Sequence, residues 1–239
     1  MIFFDHLGYL QLVAQSYLII IYWIFIYKYN LKLININIKM KIEYYYSVAS
    51  PYAYLGISKF KELVKKYSLE VDEKPFDLVG KIFPETGGVP VPKRHPARQK
   101  YRLIEIERWG KKLNVNINKQ PKFFPPSDPH KAALFTIASI KKGVHLDFGQ
   151  VVLTKLWAEE QDISQDSVLE DVCKKFNLNF KEMHAYANSE EIKNLYLSNS
   201  DEAVSKNVFG APFFILNNEL FWGQDRLDFL EDRIKSSRN

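Results

Sequence analysis

A chain of 239 residues with a single cysteine, Cys173, has no internal disulfide and no CxxC pair. Redox catalysis by the protein's own thiols is thereby excluded. Cys173 follows Val168, Leu169 and Val172 on one apolar helical face, where a buried, inert thiol is expected. Histidine is also sparse, and His6, His95, His130, His145 and His184 share no metal-ligand spacing, so no metal site is expected. No G-x-S-x-G elbow occurs, which argues against a serine hydrolase. Neither sign of charge dominates. The net charge is +5, and Lys28, Lys32 and Lys39 against Asp5 place +2 of that in segment 1–39. The remainder is too small, and recognisable motifs too absent, for a nucleic-acid partner, but it suits an anionic small molecule. At 46% hydrophobic and 26% charged residues, the balance is that of a globular protein.

Segment 1–39 is an apolar leader. Leu7–Tyr27 is interrupted only by Gly8, Gln11, Gln15 and Ser16, and it is long enough to span a bilayer. It lacks the basic start and small-residue cleavage site of a signal peptide. As an anchor it would leave the body in the cytoplasm, because Lys28, Lys32 and Lys39 follow it. The competing expectation makes Met40 the true start, since the leader is rich in Ile, Asn, Lys and Tyr, as translated AT-rich upstream DNA would be. Either way a cytoplasmic body is expected.

Lys41–Tyr67 reads as strand, tight turn and helix. Ile42, Tyr44, Tyr46 and Val48 alternate as in a strand. Ser50 suits an N-cap, and Pro51 suits the first helical position. The Ser50 hydroxyl is then either a plain cap or part of an anion-holding helix N-terminus, fit for a thiolate or carboxylate. Leu69–Leu78 reads as a second strand, with Pro75 at an edge or bulge. The Pro- and Gly-rich stretch 80–98 reads as a long irregular loop, with Lys93, Arg94 and Arg98 as either a solvated face or a carboxylate clamp.

Six helices follow without a strand: one from Pro96 with Leu103, Ile106, Trp109 or Gly110, and Leu113 inward, one from Asp128-Pro129 to Gly143, then Leu146–Glu160, Ser164 or Asp166 to Phe176, Asn179–Asn188 and Ser189–Lys206. No repeat appears at solenoid periods. Phe213–Leu216 and Glu219–Trp222 read as a hairpin turned by Asn217-Asn218. Gly223 breaks it, and Gln224 or Asp225 caps a last helix with Leu227, Leu230 and Ile234 on one face. Gly210-Ala211-Pro212 is a candidate cis-proline step or an edge-strand proline.

The order strand–helix–strand, helical insertion, hairpin–helix is an α/β, thioredoxin-like fold with a large α-helical insertion. It divides into 40–80 and 207–239 as the thioredoxin-like part and 81–206 as the loop and inserted helices. With Ser50-Pro51-Tyr52, Tyr101, Glu105–Trp109, Phe209-Gly210-Ala211-Pro212 and Trp222–Leu227 in this order, residues 41–235 resemble the 2-hydroxychromene-2-carboxylate isomerase family, related to kappa-class glutathione transferases and DsbA-like oxidoreductases. The resemblance implies glutathione as cofactor and Ser50 as the catalytic serine, steadying the cofactor's thiolate. It implies cofactor contacts at Ala211 and cis Pro212, and at Trp222, Gly223, Gln224 and Asp225, with Asp225 facing the ammonium of the γ-glutamyl end. The implied reaction is reversible thiolate addition that isomerises a conjugated, aromatic carboxylate. A homodimer is implied as well.

The substrate side departs from the family. Its lysine falls on Ile82, beside Lys81, and its asparagine–arginine pair falls on Pro92-Lys93, keeping charge at Lys93. Its aromatic residue falls near Phe124, and the kappa-class asparagine near Gly88. Lys93 and Phe124 are therefore the expected substrate contacts. The alternatives are kappa-type glutathione transfer or peroxide reduction, and a thioredoxin-like binding module without catalysis.

Overall fold

Three consecutive tyrosines organise the sheet. In the computed structural model, which describes residues 17–26 and 40–238, β1 (Lys41–Tyr46) turns Tyr44 and Tyr46 to one face and Tyr45 to the other, as the period of two requires. Tyr44 stacks on Tyr46 at 4.5 Å and on Phe214 at 5.1 Å, beneath Phe60 of α1 (Pro51–Lys66). Tyr45 meets Phe76 edge-on across the opposite face, in a second cluster with Val208, Phe213 and Ile215. Both faces of the central strands are covered, which is why β1 ends in three buried tyrosines and Phe213–Leu216 reads as a continuous apolar run.

The sheet order is β2 (Glu70–Pro75), β1, β3 (Phe213–Leu216), β4 (Glu219–Trp222). β2 runs parallel to β1 through the α1 crossover, and the other pairs are antiparallel. Pro75 closes an edge strand, as its missing donor requires. Asn217 and Asn218 both take positive φ, 52° and 66°, in the two-residue hairpin turn.

Among the described residues all four strands lie in 40–80 and 207–239, and the block between is helical: α3 (Pro96–Leu113), α4 (Pro129–Lys141), α5 (Asp147–Trp157), α6 (Asp166–Lys175), α7 (Phe180–Ala187) and α8 (Glu190–Ser205). Local chemistry starts four of them: His95 accepts from the Ala97 N–H at the start of α3. Asp128 accepts from the His130 and Lys131 N–H groups, Asn179 from that of Glu182, and Ser189 from that of Ile192. Met40–Asn239 forms one compact unit. Cys173 is fully buried, and burial pushes its thiol up to about 11.

Three expectations are corrected. Stretch 80–98 is not an irregular loop throughout: a π-helical turn (Leu78–Ile82), α2 (Phe83–Thr86) and a 3-10 turn (Val91–Lys93) run through it. The Asp77 carboxylate accepts from Gly80 N at 2.8 Å and starts the first turn, and Pro84 sits in the first turn of α2. Neither Gln224 nor Asp225 caps the final helix. A 3-10 turn (Gln224–Arg226) feeds directly into α9 (Leu227–Ser236), whose start has no side-chain cap. The inward face of α3 keeps the expected Ile106 and, of Trp109 or Gly110, Gly110, but Arg102 is buried there in place of Leu103 and Leu113. Of the expected Leu7–Tyr27 span only 17–26 is described, as a helix; the rest lies outside the described residues. Among the described residues no helix is long and apolar enough to cross a membrane.

Glu73 ties the sheet to the helical block. Its carboxylate is buried, accepting from Tyr46 Oη and from Leu146 N, each at 2.6 Å. Burial wins over both hydrogen bonds and raises its pKa from 4.5 to about 7. A carboxyl raised on folding contributes stability that is fully present below its unfolded pKa and is lost as pH climbs through the folded one. The wild type is therefore expected to lose about 3 kcal/mol relative to Glu73→Gln between pH 4.5 and pH 8, the free-energy equivalent of that shift. Urea unfolding of both proteins across this range measures the difference.

Candidate active site

Sheet register brings the functional segments to one end of the molecule. Tyr45 pairs with Phe213, so the chain leaving β1 and the chain entering β3 meet. Phe213 pairs with Trp222, so the end of β4 arrives there too, and Gly223 N donates to Pro212 O at 2.9 Å. Tyr46 pairs with Pro75, which adds the exit of β2. Ser50, Ala211, Trp222–Asp225 and Phe76–Val79 thus converge on one cleft of about 1110 Å³.

Ser50 sits at the N-terminus of α1 and is only 5% exposed. Its Oγ accepts from Ala53 N at 3.2 Å and donates to Ala211 O at 3.1 Å. Its backbone carbonyl accepts from Tyr54 N, and its own N–H reaches Ser47 O. No acidic residue lies in the first turn of α1, so the positive end of the helix dipole is not offset there. The Ala211–Pro212 bond is cis, one of the two states left open for that step.

Two glycines let the neighbouring segment close in. Gly223 takes φ +101°, which turns the chain off β4. A Cβ on Gly56 of α1 would stand 2.6 Å from Gln224 Cβ, so only glycine admits the Gln224 turn against the helix. Gln224 is buried there, while Asp225 is exposed and pairs with Arg226 at 2.6 Å. Trp222 is half-exposed, edge-on to Phe209 at 4.7 Å.

Of the site residues expected from sequence, Ser50, Ala211, Trp222, Gly223, Gln224, Asp225 and Phe124 line the cleft. Pro212 is buried just behind it. Lys93 is exposed and does not line it, and Lys81 is paired with Asp201 at 3.0 Å. The basic residues on the cleft are instead Arg94, Arg98 and Arg102, with Arg226 beside Asp225. Arg94 donates from Nε to Val89 O at 2.7 Å. Arg102 is buried at 7% exposure, under the rings of Phe124 at 4.9 Å and Trp157 at 5.7 Å. Burial holds its guanidinium below the ordinary arginine value. Tyr52, one residue past Pro51, lines the same space, its phenol raised by burial and opposed chiefly by Arg102. Arg102 carried a signal in the sequence: it stands four and eight residues before Ile106 and Gly110, a charge on an apolar stripe.

The cleft can therefore hold an anion at a helix N-terminus on one wall and a second anion among arginines on the other. The model of the DsbA-like thioredoxin domain matches residues 41–235. The chain belongs to this family. It is 25% identical over 192 residues to the 2-hydroxychromene-2-carboxylate isomerase of Sphingobium xenophagum, covering 80% of this chain and 96% of the relative. It is 23% identical over 210 residues to glutathione S-transferase kappa 2 of Caenorhabditis elegans, covering 81% and 92%. Its fold is that of a 2-hydroxychromene-2-carboxylate isomerase structure, at TM-score 0.72 and 22% identity over 82% of this chain and 95% of the other. It is also that of the cytosolic disulfide reductase DsbM of Pseudomonas aeruginosa with GSH, at TM-score 0.59 and 15% identity over 82% and 100%. In this DsbA-like chain a serine caps α1 at the cleft, and the only cysteine is buried elsewhere.

Gly56→Ala tests the closeness of the Gln224 turn. Alanine favours a helix interior over glycine by about 1 kcal/mol, but overpacking costs about 1–3 kcal/mol. The clash is between Cβ atoms near the backbone and is expected to win. Urea unfolding is expected to show a net loss of stability; a gain would mean the turn moves freely.

Proposed function

We propose that the protein is a glutathione-dependent isomerase of a conjugated carboxylate, with Ser50 steadying the cofactor's thiolate. The observation that carries this reading is the Ser50 hydroxyl at the N-terminus of α1, 3.1 Å from the carbonyl before a cis proline and facing a large cleft. The residues present fit glutathione. A thiolate is favoured where a helix dipole and a hydroxyl converge and no acid intervenes, and the chain supplies no competing thiol in the cleft. The similarity to enzymes named 2-hydroxychromene-2-carboxylate isomerase and glutathione S-transferase kappa supports it.

When bound, glutathione supplies a nucleophile that adds reversibly to a conjugated double bond. The chain does the rest. Ser50 turns its hydrogen from Ala211 O to the sulfur while Ala53 N continues to hold its oxygen. The backbone at Ala211, its direction fixed by Pro212, and the Trp222–Asp225 segment would hold the cofactor, with Asp225, now paired with Arg226, available to its ammonium. Charge that builds on the substrate's oxygens is met by the arginine wall. Phe124 gives the substrate an apolar face. Transfer of the kappa type uses the same thiolate and is the second reading, favoured by the kappa relative.

Ser50→Ala is expected to lower glutathione-dependent turnover by about 10²-fold or more, the usual effect of removing one donor to developing negative charge. 2-Hydroxychromene-2-carboxylate is the first compound to assay. Full turnover in Ser50→Ala refutes the role, and a glutathione conjugate in the product mass spectrum moves the reading from isomerase to transferase.

A further inference from the structure

We propose that Arg102 is the specificity-determining residue of the cleft, holding the carboxylate of a small, flat acid on the wall opposite the cofactor. This rests on the proposed function for the cofactor's place, but its own support is separate.

Arg102 is buried in the inward stripe of α3, where an apolar side chain would ordinarily stand. Its Nη2 is fully buried and no protein atom among the described residues accepts from it. Its strongest charged neighbours are Tyr52, which is neutral when protonated, and Arg94, which repels it. The nearby carboxylates are committed elsewhere: Glu105 to Arg108 at 2.8 Å and Asp225 to Arg226 at 2.6 Å. The Trp157 indole N–H, on a ring packed against the same guanidinium, is likewise buried without an acceptor. A buried guanidinium packed against ring faces, with no acceptor for Nη2, is expensive to keep. An arriving carboxylate supplies what they lack, in the paired geometry that arginine favours.

The wall identifies the ligand class. Arg102 lies against Phe124 and Trp157 of the helical block, whereas the segments that suit glutathione are Ser50, Ala211 and Trp222–Asp225. Tyr52 stands between the two walls, within electrostatic reach of both Arg102 and Asp225. Phe124 lies against Arg102, and the cleft is further lined by apolar groups including Val79 and Phe83. A single carboxylate on a flat hydrocarbon body matches that lining.

Calorimetry on the full chain with trans-cinnamate and its neutral isostere trans-cinnamamide, each with and without saturating glutathione, tests this. Wild type is expected to bind the acid at least about tenfold more tightly than the amide. Arg102→Met is expected to weaken the acid about 10–100-fold, the loss typical of breaking a buried charge pair. The same change is expected to leave the amide and glutathione within about twofold. Arg102→Lys is expected to recover part of the acid's affinity. The melting temperature of Arg102→Met is expected to equal or exceed that of wild type, since a buried charge without a carboxylate is removed. Four results overturn the proposal: wild type not preferring the acid, unchanged acid affinity in Arg102→Met, loss of glutathione affinity in its place, or a lowered melting temperature with acid binding intact. Acid binding that depends on Arg102 in a wild type that does not bind glutathione would uphold this proposal and sink the proposed function.

Discussion

The hydrogen bond from Ser50 Oγ to Ala211 O joins residues 161 positions apart in the chain. Everything else at the cleft is arranged around it. It can form only because β1 and β3 are antiparallel neighbours with Tyr45 opposite Phe213, so the exit of one strand faces the entrance of the other. That pairing rests on the aromatic stack of Tyr44, Tyr46, Phe60 and Phe214 beneath α1, which fixes which face of β1 looks at the helix. A one-residue slip would reverse the faces and turn Tyr45 toward α1 in place of Tyr44 and Tyr46. Core packing and site geometry are thus the same constraint.

The two walls of the cleft have different origins. The sheet end provides backbone groups, a helix N-terminus and a hydroxyl, all set by register. The helical block provides side chains, chiefly arginines and aromatics, set by helix faces and a Pro-rich connection. The first wall suits a partner with a fixed peptide-like shape. The second can change with sequence while the fold stays as it is.

Local chemistry made much of this legible in advance. Ser50-Pro51 announces a capped helix, Asn217-Asn218 a hairpin and Asp128-Pro129 a helix start, because each satisfies backbone groups within four residues. The wall at the sheet end followed from those signals together with the order of motifs. The wall from the helical block did not. Helical turns through 78–93 depend on Asp77 reaching forward to Gly80, which periodicity does not report. They leave Lys93 exposed and Arg94 inward. Arg102 was missed for a related reason: its spacing from Ile106 and Gly110 marks it, but hydrophobic patterning by itself assigns a charge to the surface, and the packed rings of Phe124 and Trp157 show where it lies.

The central claim is that the Ser50 end of the sheet is a glutathione site. Calorimetric titration of reduced glutathione into wild type and Asp225→Ala tests it most directly. The account predicts saturable one-to-one binding to wild type that Asp225→Ala abolishes or weakens at least about tenfold, as expected when one partner of a charge pair is removed. Absence of binding at millimolar glutathione, or binding indifferent to Asp225→Ala, would contradict it.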